Sequence, residues 1–177
     1  MLVRRTPRRR GMTVVESVLV LAVFIMLLFG LFEYSRFLLV LHVTNNAARD
    51  GARYAVVNVN CPSDQIAAKK ADIIAYTFAR MGGVDQKNII GCQVAVYPCD
   101  PAGFAMTPAG DPEDPDPGTP ADPFNPADTN NPPWNQATFT ERIAVTIKGQ
   151  YKPITPTFLF MPNLIDINVT AVMGSEG

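Results

Sequence analysis

Arg8–Arg36 reads RRRGMTVVESVLVLAVFIMLLFGLFEYSR. Three arginines lead to Gly11, and Glu16 stands five residues after that glycine. From Ser17 to Phe32 come sixteen uncharged residues, all but Ser17 apolar or glycine. The apolar character resumes as FLLVLHV over 37–43, after the short polar break Glu33–Arg36. As a helix, 17–43 would be about 40 Å long at ~1.5 Å per residue, enough to cross a bilayer. A carboxylate at the mouth of such a helix is costly to insert, which marks Glu16 as a residue with a task. No proline interrupts 12–57, so one helix is expected to serve as both span and stalk. A cleaved secretory signal is the competing reading. Its apolar core would run only about 7–15 residues and end at a small-residue cleavage site, and neither feature is found here.

Charge gives the orientation. Arg4, Arg5, Arg8, Arg9 and Arg10 all precede Gly11, and no acid accompanies them. The whole chain of 177 residues carries a formal charge of −1; without those five arginines it keeps ten basic and sixteen acidic residues, a charge of −6. Residues 1–11 therefore read as a basic leader. Lys and Arg are retained on the cytoplasmic side. The expected topology is a single pass through the inner (cytoplasmic) membrane with the N-terminus inside and the C-terminal domain periplasmic or extracellular. Nothing after the leader forms a basic patch, so nucleic acid is not an expected partner; the lipid bilayer is.

The remainder, 58–177, reads as an α+β domain. Ser63 and Asp64 after Pro62 resemble a helix start, and Ile66, Ala67, Ile73, Ile74, Phe78 and Met81 form an apolar stripe that Gly82-Gly83 ends. Three runs suit strands, at 89–97, 138–148 and 165–173, the last two alternating with period two. A long transmembrane helix running into an α+β domain with a second helix and a small antiparallel sheet of about three strands is the expected fold. Residues 100–136 interrupt it with ten prolines and seven acids and no base. That composition predicts an extended, solvated loop. Asp111, Glu113, Asp114 and Asp116 put oxygen ligands close together, but their spacing is not that of a calcium loop, and no metal or cofactor is expected.

Two features of the stalk have both a local and an assembly reading. Glu33 and Arg36, three apart, suit a local pair near the outer interface, with pairing to another subunit as the alternative. Ala47, Ala48, Gly51, Ala52 and Ala55 line one face, suited to packing on the chain's own domain or, alternatively, between subunits.

Catalytic chemistry finds no foothold. His42, the single histidine, sits near the end of the apolar tract, and no zinc motif or Ser/His/Asp set can be assembled. Three cysteines, Cys61, Cys92 and Cys99, follow the membrane segment into a compartment that permits disulfides. Cys92–Cys99 is the favoured bridge because the closed loop is short, with Cys61 as the alternative partner.

The leader junction, GMTVVE at 11–16, resembles the cleavage site of type IV-like prepilins. The stretch 9–58 is similar to TadE-like proteins of tight-adherence (Flp) pilus systems. The likeness rests on the basic leader ending in Gly11, the Val15-Glu16 pair, the long apolar run, the block Gly30-Leu31-Phe32-Glu33-Tyr34-Ser35-Arg36, and the block Ala47-Ala48-Arg49-Asp50-Gly51-Ala52-Arg53-Tyr54-Ala55. It implies cleavage by a prepilin peptidase between Gly11 and Met12. It further implies that Glu16 sits in the membrane near a neighbouring subunit's new amino terminus, where a cation makes a buried carboxylate tolerable. In the major Flp pilins a tyrosine follows that glutamate, whereas Ser17 does so here, and the major pilins are much shorter. The resemblance thus implies a minor pseudopilin-like subunit working with other pilin-like subunits and the inner-membrane pilus assembly platform. The alternative is a membrane-anchored extracytoplasmic binding module unrelated to pilus assembly.

Overall fold

The computed structural model describes residues 10–99, 123–125, 133–136, 142–154 and 162–174. Its first element is helix α1, Arg10–Val57, forty-eight residues long. At ~1.5 Å per residue α1 reaches about 72 Å. Its two halves have opposite characters. From Val14 to Phe32 every residue is exposed except Gly30, which is half-buried; this stretch includes Leu19, Leu27, Leu31 and Phe32 at 61–68% exposure. From Glu33 onward the helix turns one face into a core: Val40, Thr44, Ala47, Ala48, Ala52 and Ala55 are at most 2% exposed.

That core is shared with a three-stranded antiparallel sheet in the order β1-β2-β3, formed by β1 (Ile89–Cys99), β2 (Arg142–Tyr151) and β3 (Ile165–Gly174). Strand β2 is central. Ile147 pairs with Val94 on one side and Val169 on the other, and Val145 with Val96 and Ala171. This register carries the period-two apolar positions of all three strands onto one face. Helix α1 lies against β2 and β3, and helix α2 (Ile66–Arg80) lies beside it over β1. The architecture is thus α+β, with two helices covering one face of the sheet. On the opposite face the hydroxyls of Tyr97, Thr146 and Thr170 link the three strands, at 2.9 Å and 2.8 Å.

The core divides into two patches along α1. Nearer the membrane segment, Val40, Ala47 and Ala48 meet Met81, Ile89, Ile147, Tyr151, Ile167 and Val169. Farther out, Ala52, Ala55 and Val59 meet Ile73, Val96, Trp134, Ile143 and Val145. The small residues of the second sequence block therefore face the chain's own sheet and α2. Gly51 carries the closest approach: a Cβ there would overlap the Thr77 hydroxyl of α2.

Helix α2 starts with a 3-10 turn at Ser63–Gln65 rather than with a side-chain cap, and Gly82 and Gly83 at φ +60 and +82 end the chain's run out of α2. A short helix α3, Val84–Asn88, absent from the sequence reading, then turns the chain into β1. Strand β2 runs on to Tyr151, three residues past its expected end, because the alternation Ile143, Val145, Ile147 continues through Gly149 to Tyr151.

Candidate functional site

Three positions along α1 carry the features that the sequence singles out. The first is the junction with the leader. Gly11 and Met12 lie in the first turns of α1, so the site expected for cleavage is continuous with the apolar helix. Glu16 is exposed and shares one face with Ser17, Val20, Leu21 and Phe24, which line a shallow groove along the bare part of the helix. Exposed apolar length from Val14 to Phe32 comes to about 28 Å, close to the ~30 Å of a bilayer's hydrocarbon core. It is a helix long and apolar enough to cross a membrane as a single-pass anchor.

The second position is where the bare helix meets the domain. Glu33 is 4% exposed although it follows directly on the apolar stretch. Its carboxylate accepts three donors. The Tyr151 hydroxyl donates to Oε1 at 2.6 Å, the Ile154 backbone N–H donates to Oε2 at 3.2 Å, and Arg36 donates to Oε1 at 3.3 Å. Arg36 also donates to Asn88 Oδ1 at 2.7 Å and lies 5.8 Å from the centre of the Tyr151 ring. Phe37 meets the same ring edge-on at 5.4 Å. The local Glu33–Arg36 pair therefore exists, but of its two expected contacts with water only that of Arg36, 33% exposed, is found. Glu33 is sealed beneath the end of β2, and the two charges hold together α1, the end of α3 and the exit of β2. A buried carboxylate is tolerable only when its oxygens are satisfied and a cation is near, and both conditions are met here. Burial, and then the hydrogen bond to Glu33, push the Tyr151 hydroxyl up to about 12, with Arg36 pulling the other way. Tyr151 and Asn88 were not among the residues picked out in the sequence. The unbroken alternation of β2 would have found Tyr151; nothing local marks Asn88.

The third position is the outer stalk. Tyr54 of α1 stacks on Tyr76 of α2 at 4.5 Å, and Arg80 donates to the Tyr76 hydroxyl at 2.6 Å while lying over its ring at 4.9 Å. Asp50 receives Arg80 at 3.7 Å and Arg53 at 3.9 Å. Trp134 fills the far end of the core and donates its indole N–H to the Ile66 carbonyl at 3.1 Å, tying the proline-rich segment to the start of α2.

The cysteines fall differently from expectation. Cys92 and Cys99 stand on one strand, β1, seven residues apart. At ~3.3 Å per residue their Cα atoms are roughly 20 Å apart, whereas a disulfide needs about 4.4–6.8 Å. A bridge between them is incompatible with this strand, because a span short in sequence is long in space when extended. Cys61 packs against the outer core patch with Val96 and Ile143, and Cys99 pairs with Arg142 at that same end of the sheet. The acidic quartet Asp111, Glu113, Asp114 and Asp116 lies outside the described residues. Among the described residues no group of three or more His, Cys, Asp or Glu side chains could hold a metal ion.

This arrangement suits a membrane anchor carrying a folded domain. Residues 11–53 match the family model described as TadE-like protein. The match begins at Gly11, runs through the Gly30–Arg36 block and ends at Arg53, inside the Ala47–Ala55 block. No curated protein and no solved structure matches the chain. The TadE-like family is a pilus-associated structural family, so the matched segment points to a Tad pilus-related function. The remaining three quarters of the chain, including the whole sheet, lie outside the TadE-like match.

Proposed function

We propose that this chain is a minor pseudopilin-like subunit for assembly of a tight-adherence (Flp) pilus or a related secretion apparatus, held in the inner membrane by α1 with its α+β domain outside. The observation that carries the proposal is the coincidence of the TadE-like match with a bare apolar helix headed by Glu16. A helix that only anchored a domain would have no use for a carboxylate there, since each such group costs about 2.5–3.5 kcal/mol at mid-bilayer on insertion scales and somewhat less near the interface. A subunit that must find a neighbour's amino terminus does have a use for it. In this reading a prepilin peptidase cuts between Gly11 and Met12, and Glu16 then pairs with the new terminus of an adjacent pilin-like subunit on the assembly platform.

The test is Glu16→Val in cells that hold the whole apparatus. The variant is expected to insert as well as the parent and to lose crosslinking with other pilin-like subunits. Normal crosslinking by a well-inserted Glu16→Val protein would overturn the assembly role and leave a membrane-anchored binding module.

A further inference from the structure

The sheet-facing side of the stalk is filled, but the opposite side of α1 carries charge with little to balance it. Leu39, His42, Asn46, Arg49, Arg53 and Val57 follow one another at spacings of three and four, and all are exposed. No acid lies on that ridge. Among the described residues Arg49 has no hydrogen-bond or ion-pair partner, and Arg53, 70% exposed, reaches Asp50 alone, at 3.9 Å. Asp50 in turn is shared with Arg80, so the patch of three arginines and one aspartate keeps an excess of two positive charges. Arg49 and Arg53 are four apart, a spacing at which like charges on a helix repel.

A lipid headgroup does not fit this patch. Arg49 stands seventeen residues beyond Phe32, about 25 Å along an upright helix, whereas the headgroup layer is only about 5–8 Å deep. The complementary charge is carried by the chain itself: 100–136 holds seven acids and no base. The described points of that segment are held on the β1 and α2 side. Phe124 sits over Lys148 at 4.2 Å, lining a cavity with Lys70 and Gln93, and Trp134 is bonded to Ile66. The arginine ridge lies on the far side of α1 from the sheet.

We infer that the Arg49–Arg53 ridge of one copy is a docking surface for the acidic proline-rich segment, 100–122, of a second copy of this chain. The inference rests on the assembly reading, since it requires stalks brought side by side. The contact is between solvated charges, so it steers and orients neighbours more than it binds them.

The experiment uses the full chain in its own membrane, with two differently tagged copies co-expressed. A photocrosslinker at Asn46, on the same ridge, is expected to capture a peptide from 100–122 of the other copy. The reversal Arg49→Glu with Arg53→Glu is expected to lower that yield roughly five-fold, as a few exposed ion pairs allow. Raising salt is expected to lower it as well. A partner copy carrying Asp111→Lys, Glu113→Lys and Asp114→Lys should restore the yield to the reversed copy. Capture within one chain, capture of a different protein, or yields indifferent to both reversals would overturn the inference. A second crosslinker at Val20 reports on helix contacts in the membrane. If it still captures a neighbour while the Asn46 probe does not, only the ridge proposal falls; if neither does, the assembly reading falls with it.

Discussion

The Tyr151 hydroxyl donates to the Glu33 carboxylate at 2.6 Å across 118 residues of sequence, and this bond closes the junction between the apolar helix and the α+β domain. The Ile154 amide on the same carboxylate and Arg36 on Asn88 support it, and the core patch around Val40 continues the contact farther out. With it, the first polar residue after the apolar stretch is also the first residue of the domain.

Removing one partner is expected to cost more than the bond itself is worth, because the other is left buried. Tyr151→Phe keeps the ring against Phe37 and loses only the hydroxyl. About 1.5–3 kcal/mol of stability should go, as for a hydrogen bond to a charged group. Glu33→Ala leaves the Tyr151 hydroxyl, the Ile154 amide and Arg36 without their acceptor, and about 3–5 kcal/mol is expected. The double variant should lose less than the two single losses combined, since both act on one contact. Thermal unfolding in detergent, read from the fluorescence of Trp134, the single tryptophan, measures all three. Additive losses would mean that the two residues do not act together.

Burial of the same tyrosine, reinforced by its bond to Glu33, sets an alkaline limit. Tyr151 is held protonated in the fold up to about 12, against an ordinary value of 10.0. Its folded-state pKa is raised, so its stabilising contribution is complete below pH 10 and is lost as pH climbs from about 10 to about 12. Stability of the parent protein should fall across that window more steeply than that of Tyr151→Phe. Parallel slopes for the two proteins would show that the tyrosine's titration is not coupled to folding.

Gly51 makes a separate point about the stalk. A methyl group there overlaps the Thr77 hydroxyl, so that either Thr77 must give up its bond to the Ile73 carbonyl or helices α1 and α2 must part. Gly51→Ala is expected to lower stability by about 1–3 kcal/mol, although alanine is the better helix former. Gly51→Ala paired with Thr77→Ala, which frees the space, should recover part of the loss. A stabilised single variant would mean that this helix pair is not closely packed.

Much of this fold was legible in the residues, for physical reasons that differ by element. Helix α1 was legible because apolar length without proline has few other readings, and β3 because its alternation is strict. The stripe of small residues announced close packing, and its partner is the chain's own sheet and α2. Less legible was everything made by residues far apart in sequence. Glu33 and Arg36 read as a local pair, and the local pair is present, but nothing near them reveals that Tyr151, Asn88 and the Ile154 amide converge on the same spot. The cysteines misled for the opposite reason. Nearness in sequence suggested a short loop, while the strand that joins Cys92 to Cys99 holds them at opposite ends.

That geometry gives a prediction about oxidation. Peptide mapping under non-reducing conditions is expected to yield no Cys92–Cys99 crosslinked peptide. Where a bridge forms, it should join Cys61 to Cys99, which share the end of the domain far from the membrane helix. Recovery of a Cys92–Cys99 bridge would mean that β1 is not one continuous strand.

The last prediction concerns the leader, where the chain is the substrate. The helix begins at Arg10, so the bond between Gly11 and Met12 belongs to the same rod that carries Glu16. A peptidase working at the membrane face must reach that bond beside five arginines and a bulky apolar flank, and a side chain at Gly11 would stand in its way. Gly11→Asp is expected to leave the full leader attached, a loss of processing and not of insertion, because the apolar stretch from Val14 to Phe32 is untouched. Glu16→Val, by contrast, should be cut normally and fail at the later step of association. Intact-mass measurement of the membrane-extracted protein separates the two: a mature terminus at Met12 for the parent and for Glu16→Val, and the uncut mass for Gly11→Asp. A parent protein that keeps its leader in cells holding the peptidase would remove the processing site from Gly11, and with it the reason to place Glu16 beside a neighbour's amino terminus.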